Sequence, residues 1–121
     1  MEATGLKPII WLGSSRSKLK QFPEPVREEI GYALFRAQQR EKHYNAKPLK
    51  GFSGVFEIVS PYQTDTYRAV YAIKLGNSIY VLHTFKKKSK KGMKTPKPDL
   101  EIIKQRLQTA RVLVREGTHD E

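Results

Sequence analysis

The sequence contains no cysteine, and that one absence removes disulfides, thiol nucleophiles and thiolate metal sites together. Acidic residues are scarce: 12 Asp and Glu stand against 23 Lys and Arg, leaving a formal charge of +11. Such an excess points away from neutral metabolites and toward nucleic acid, an anionic membrane surface or an acidic protein. Long apolar runs are missing too. None approaches the roughly 20 residues a membrane-spanning helix needs, so no membrane partner is expected. Residues 1–12 lack a cationic start followed by an apolar stretch, which makes the cytoplasm the expected location. His43 and His119 sit in polar segments without a companion at ligand spacing. Neither a glycine-rich phosphate cradle nor a serine-nucleophile motif occurs, and no metal or other cofactor is expected.

What is present suits one folded domain spanning residues 1–121, since 38% hydrophobic and 10% aromatic residues suffice for a core. Residues 8–12 form a short apolar run ended by Gly13, and read as a strand. Ser14 or Ser15 is placed to cap a short helix over 16–21. Val26, Ile30, Ala33, Leu34 and Ala37 recur at helical spacing, predicting an amphipathic helix over 25–40. Gly31 inside that helix costs up to about 1 kcal/mol relative to alanine and suggests a close backbone contact.

Residues 41–54 are polar and punctuated by Pro48, Gly51 and Gly54, as a loop would be. Three strands follow, over 55–59, 67–75 and 78–85, with a turn at 61–66 and a two-residue hairpin loop at Gly76-Asn77. A lysine-rich loop occupies 86–97. A last helix begins near Pro98, with Leu100, Ile103, Leu107, Ala110 and Val114 on one face, and residues from Thr118 on read as a frayed end. The order β-α-α-β-β-β-α predicts an α+β fold, a mainly antiparallel sheet of about four strands with helices on one face.

Residues 67–97 hold nine Lys or Arg and no acid. If Leu75 faces Ser78 across the hairpin, Val70 faces His83 and Arg68 faces Phe85. Alternation then places Arg68, Val70, Val81, His83 and Phe85 on one face. Tyr67, Tyr71 and Tyr80 fall on the other, core-facing side. Glu57 joins the Arg68 face only if the two preceding strands pair in odd register, which the sequence leaves open.

A group of this kind meets the needs of metal-free RNA cleavage: a base for the 2′-OH, cations for the phosphate and an acid for the 5′-oxygen. His83 or Glu57 can serve as base, and Arg68 as a planar fork for phosphate oxygens. Lys50, Lys86, Lys87, Lys88, Lys90 and Lys91 add positive charge, and Phe85 or a tyrosine can stack on a splayed base. Periodicity alone favours a plainer role for His83, as a hydrogen-bonded structural residue. Glu57 with Arg68 equally fits a cross-strand ion pair, and the lysine run a solvated loop.

The words PLKG (48–51), GVFEI (54–58), TYRAVY (66–71) and IYVLHTFKKKSKKGMKTP (79–96), with Ile103 and Arg106-Leu107 in the closing helix, resemble the HigB-like, phage-derived toxins of the RelE/ParE superfamily. Trp11 to Ser15 and Phe22-Pro23 fit the opening of that family, so the resemblance covers nearly the whole chain. It implies a compact sheet bearing helices and the toxin of a type II toxin–antitoxin pair, acting as an mRNA endoribonuclease commonly at the ribosomal A site. The implied partners are mRNA, the ribosome and a cognate antitoxin with a helix-turn-helix DNA-binding domain. Position by position it implies functional roles for Lys50, Glu57, Arg68, His83, Lys87 and Lys88. Broader members often carry arginine two residues after the Glu57 position, where this chain has Val59. The rival expectations are a gyrase-poisoning toxin of the same superfamily and a non-catalytic basic RNA-binding or phage accessory module.

Overall fold

Apolar and β-branched residues from Val55 to Lys87 build an antiparallel meander of three long strands, and the other described elements pair with it or pack on it. The computed structural model describes residues 5–88 and 94–117. In chain order these form β1 (Ile9–Trp11), α1 (Ser15–Leu19), α2 (Glu24–Gln38), β2 (Ala46–Pro48), β3 (Val55–Tyr62), β4 (Asp65–Leu75), β5 (Ser78–Lys87) and α3 (Lys97–Glu116). The sheet order is β1-β5-β4-β3-β2, with β1 parallel to β5 and every other pairing antiparallel. The α+β architecture is the expected one, with a fifth strand. β2 lies in the segment read as loop, because three residues including Pro48 are too few to show alternation.

Helices cover both faces of the sheet, not one. On the first face Val26, Ile30, Ala33, Leu34 and Ala37 of α2 pack against Ile58, Tyr71, Ile79 and Val81. On the second, Ile103, Leu107 and Ala110 of α3 pack against Val55, Val70, Tyr80 and Leu82. A sheet this rich in apolar side chains on both sides needs two covers, since each uncovered face would leave its area in water at about 25 cal/mol per Å².

β4 and β5 pair in the anticipated frame from Thr66 opposite Lys87 to Val70 opposite His83, then shift so that Tyr71 faces Val81. Leu82 is the extra residue of this β-bulge. Two residues there oppose one, so alternation reverses beyond it. Val81 consequently turns to the α2 face and Tyr80 to the α3 face, the reverse of the sequence assignment for both. A uniformly apolar strand gives no mark of such an insertion.

Smaller differences have local causes. Ser14 stands at the N-cap of α1 without a side-chain cap hydrogen bond, while buried Ser15 donates its hydroxyl to the Val81 carbonyl at 3.3 Å. An added Cβ at Gly31 would meet nothing within 4 Å, so the expected close contact is not made within the described residues. β3 and β4 run on to a tight turn at residues 63–64, where Gln63 takes φ 55. Pro61 is tolerated near the end of β3 because β2 flanks the strand only as far as Ile58. The Glu29 carboxylate accepts from Ser60 Oγ at 2.6 Å and Asn45 Nδ2 at 3.0 Å, tying the approach to β2 onto α2.

Candidate functional site

β3 pairs with β4 so that Glu57 faces Val70 and Val59 faces Arg68, an odd register that brings Glu57 onto the Arg68 face. The two are diagonal neighbours, and Arg68 Nη1 donates to Glu57 Oε1 at 3.2 Å. Thr95, just ahead of α3, donates its hydroxyl to Glu57 Oε2 at 2.7 Å, so both carboxylate oxygens are engaged. Arg68 is 2% and Glu57 7% exposed. A pair this far from water interacts much more strongly than a surface ion pair, and its loss leaves an uncompensated charge.

His83 lies beside this pair on the same face and under α3, 1% exposed. Its Nε2 is 2.7 Å from Asp99 Oδ1, and its Nδ1 is 3.5 Å from Arg106 Nη1. Guanidinium can only donate, so Nδ1 is the acceptor and Nε2 carries the proton given to Asp99. Burial pushes the imidazole below its ordinary pKa of 6.5; the Asp99 hydrogen bond and charge oppose that shift, while Arg106 and Lys18 add to it. The Phe85 ring stacks on the imidazole at 4.9 Å between centroids.

Arg106 locks this arrangement. Its Nη1 donates to the carbonyl of Leu82, the bulge residue, at 3.0 Å. A bulge frees such a group from the ladder, and a buried carbonyl must find a donor. The guanidinium passes so close over Gly13, φ 55, that a Cβ there would sit 2.5 Å from Arg106 Cζ. Only glycine admits both the left-handed backbone and the overlying side chain.

Two cavities open beside these residues. The first, about 510 Å³, has Glu57 and Arg68 in its wall with Lys47, Lys50, Lys94 and Thr95 around it. Among the described residues Glu57 is the only carboxylate lining it, against four cationic side chains. The second, about 480 Å³, is lined by Phe22, Tyr67, Phe85, Lys18, Lys86 and Asp99, together with Gln21. Among the described residues no three His, Asp or Glu side chains are grouped to hold a metal ion. No helix among them is long and apolar enough to cross a membrane.

Residues 17–108 match the family described as phage derived protein Gp49-like (DUF891). The chain belongs to this family. The resemblance to phage-derived toxins of the RelE type, read from sequence words, agrees with the assignment. Comparison with curated proteins finds no match. Among solved structures, a chain of the toxin–antitoxin complex RelBE2 from Mycobacterium tuberculosis is similar at 21% identity, over 65% of this chain and 95% of that one, with a TM-score of 0.44.

In this Gp49-like chain the matched residues span the whole site, from Lys18 through Arg106. Arg68, Glu57, His83 and Phe85 come together on one face, but as a buried cluster and not as an open platform. His83 lines neither cavity and is enclosed beneath α3, whereas Glu57 and Arg68 line the first. Lys50 is exposed at the first cavity and Lys86 at the second, where its Nζ lies 3.7 Å from Asp65 Oδ2. Lys87, half-buried, donates to the Lys94 carbonyl at 2.8 Å and draws the two ends of the lysine loop together. Lys88 is exposed; Lys90, Lys91 and His119 fall outside the described residues, as does the segment from Thr118. Sequence reasoning gave no site role to Lys47, Lys94, Thr95, Asp99 or Arg106. Asp99 reads as an ordinary acid in a first helical turn, and only the packing of α3 on β5 turns it toward His83.

Proposed function

We propose that this protein is the toxin of a type II toxin–antitoxin pair, on the HigB-like branch of the RelE-like toxins, and that it cleaves mRNA on the translating ribosome. The reading rests on the first cavity, where among the described residues four cationic side chains surround a single carboxylate, in a volume of about 510 Å³. That size lies within the usual range for small-ligand sites, and the charge suits one nucleotide of a polyanion.

Of the two base candidates, His83 and Glu57, this reading takes Glu57, because it is the only carboxylate among the described residues that line the cavity. An arriving phosphate competes with Glu57 for the Arg68 guanidinium, so binding substrate frees the base that the closed pair holds in reserve. Glu57 takes the 2′-OH proton, the 2′-oxygen attacks the adjacent phosphorus, and the bond to the 5′-oxygen breaks with a proton supplied from a lysine ammonium. The products are a 2′,3′-cyclic phosphate and a 5′-hydroxyl. Arg68, Lys50 and Lys94 carry the charge that grows on the phosphoryl oxygens, a stabilisation that needs no metal. As a toxin it requires a cognate antitoxin, for which a helix-turn-helix protein is the expected partner.

The test is a reconstituted translation reaction with 5′ ends mapped on the mRNA. Wild type gives discrete cuts with 5′-hydroxyl ends, Lys50→Ala with Lys94→Ala reduces them, and Glu57→Gln abolishes them. Intact transcripts with well-folded wild type refute catalysis. The burial of the Arg68–Glu57 pair favours one other reading, a non-catalytic RNA-binding module. It predicts salt-sensitive binding that the lysine substitutions weaken, with no cut under any condition.

A further inference from the structure

The second cavity differs in kind from the first, and the cleavage scheme makes no use of it. Phe22, Tyr67 and Phe85 give it aromatic walls, with Phe22 and Tyr67 rings 4.8 Å apart and tilted at 60°. Lys18 and Lys86 flank them, yet Asp99 sets a carboxylate among these groups. The two cavities abut the same segment, since Thr95 and Leu100 line the first and Asp99 the second. They are also joined across the sheet, because Arg68 of the first is the cross-strand partner of Phe85 of the second.

A phosphate can contact Lys18 and Lys86 here, but set against the Asp99 carboxylate it would be repelled. A planar heterocycle with N–H donors would not. We infer that the second cavity binds a guanine base of the RNA and that Asp99 selects it. This rests on RNA being the substrate, as proposed above, and adds which base is read. Unpaired RNA bases are recognised by stacking on aromatic rings and by hydrogen bonds to the Watson–Crick edge, and this cavity offers both.

The choice of base follows from the donors. His83 Nε2–H occupies one lone pair of Asp99 Oδ1 and holds the carboxylate in place, leaving acceptor capacity on both oxygens. Guanine alone presents two adjacent donors on that edge, N1–H and N2–H₂. Adenine and cytosine pair an amino donor with a neighbouring ring-nitrogen acceptor. Uracil flanks its one N–H with two carbonyl oxygens, each of which would oppose Asp99. Sites that satisfy a bidentate donor pair disfavour bases lacking it, because the carboxylate oxygen lone pairs not used by His83 would then lose water without gaining a donor.

The experiment titrates ¹⁵N-labelled protein with GMP, AMP, CMP and UMP, following amide shifts, with inorganic phosphate as a control. GMP is expected to bind at least about tenfold more tightly than UMP, moving the Lys18, Gln21 and Phe22 amides. Asp99→Asn swaps one acceptor for a donor and brings the four affinities within about twofold of one another, while shifts caused by inorganic phosphate persist. Equal affinities in the wild type overturn the inference, as do GMP shifts confined to residues 47–50. A guanine preference that survives Asp99→Asn also overturns it. The wild-type comparison stands even if the variant folds poorly. Because the readout is binding, a guanine preference without mRNA cleavage sinks only the catalytic proposal, and cleavage without that preference sinks only this one.

Discussion

Replacing Glu57 by glutamine isolates the energetic weight of the buried pair. The substitution keeps the side chain's shape and an acceptor for the Thr95 hydroxyl, but removes the charge that balances Arg68 at 3.2 Å. With side chains 3% and 9% exposed, water screens little of what is lost. Removing one partner of such a pair costs about 3–5 kcal/mol, against roughly 5–15 kcal/mol for a whole domain. For a chain of 121 residues the unfolding entropy is about 0.25 kcal/mol per kelvin, so the melting temperature should fall by roughly 12–20 °C. Trp11, the single tryptophan, reports unfolding from its half-buried place in β1. The double substitution Glu57→Leu with Arg68→Met should recover much of the loss, because it removes both charges together. A drop of under about 4 °C for Glu57→Gln, equivalent to roughly 1 kcal/mol, would show that water reaches the pair and would refute the enclosure of Glu57 with Arg68 on which this reasoning rests.

Three other outcomes follow from named contacts. Because burial holds His83 below 6.5, the unfolded chain takes up a proton on acidification before the folded one does; stability should therefore fall as pH drops below about 6.5, by up to about 1.4 kcal/mol per pH unit, and His83→Gln should flatten that part of a denaturation-versus-pH curve. Gly13→Ala combines left-handed strain with displacement of Arg106 from the Leu82 carbonyl, and should cost about 2 kcal/mol or more in urea unfolding; a loss shared with Arg106→Ala in a double-mutant cycle would confirm the common cause. Gly31→Ala, with open space around its Cβ in mid-helix, should stabilise by about 0.5–1 kcal/mol, and a destabilised variant would show that the close contact expected from sequence exists after all.

Much of the frame was legible in the residues. Helical spacing of Val26, Ile30, Ala33, Leu34 and Ala37 located α2, and all five are buried. Gly76, with φ 57, closes the β4–β5 hairpin where a two-residue loop requires it; Val70 still faces His83 and Arg68 still faces Phe85 because the two register shifts between that turn and Val70 cancel. Local chemistry suffices for such features, because a turn and an apolar stripe each carry their cause in a few adjacent residues. The Leu82 bulge was not legible, and it moved Val81 and Tyr80 to opposite faces. β2 was hidden for the same reason, being defined by its partner strand and not by its own three residues.

The sequence by itself determined that this chain is basic, cysteine-free and folded around a hairpin with arginine and histidine on a common face. The tertiary structure alone decided how far that face is enclosed, because burial is a property of what lies on top. α3 settles over β4 and β5, gives His83 to Asp99 and Arg106, and closes Glu57 against Arg68. An imidazole that pattern leaves available thereby becomes an enclosed donor to Asp99, while the carboxylate beside it lines a lysine-rimmed cavity. Charge and periodicity travel along the chain and can be read there; solvent exclusion arises only when distant segments meet.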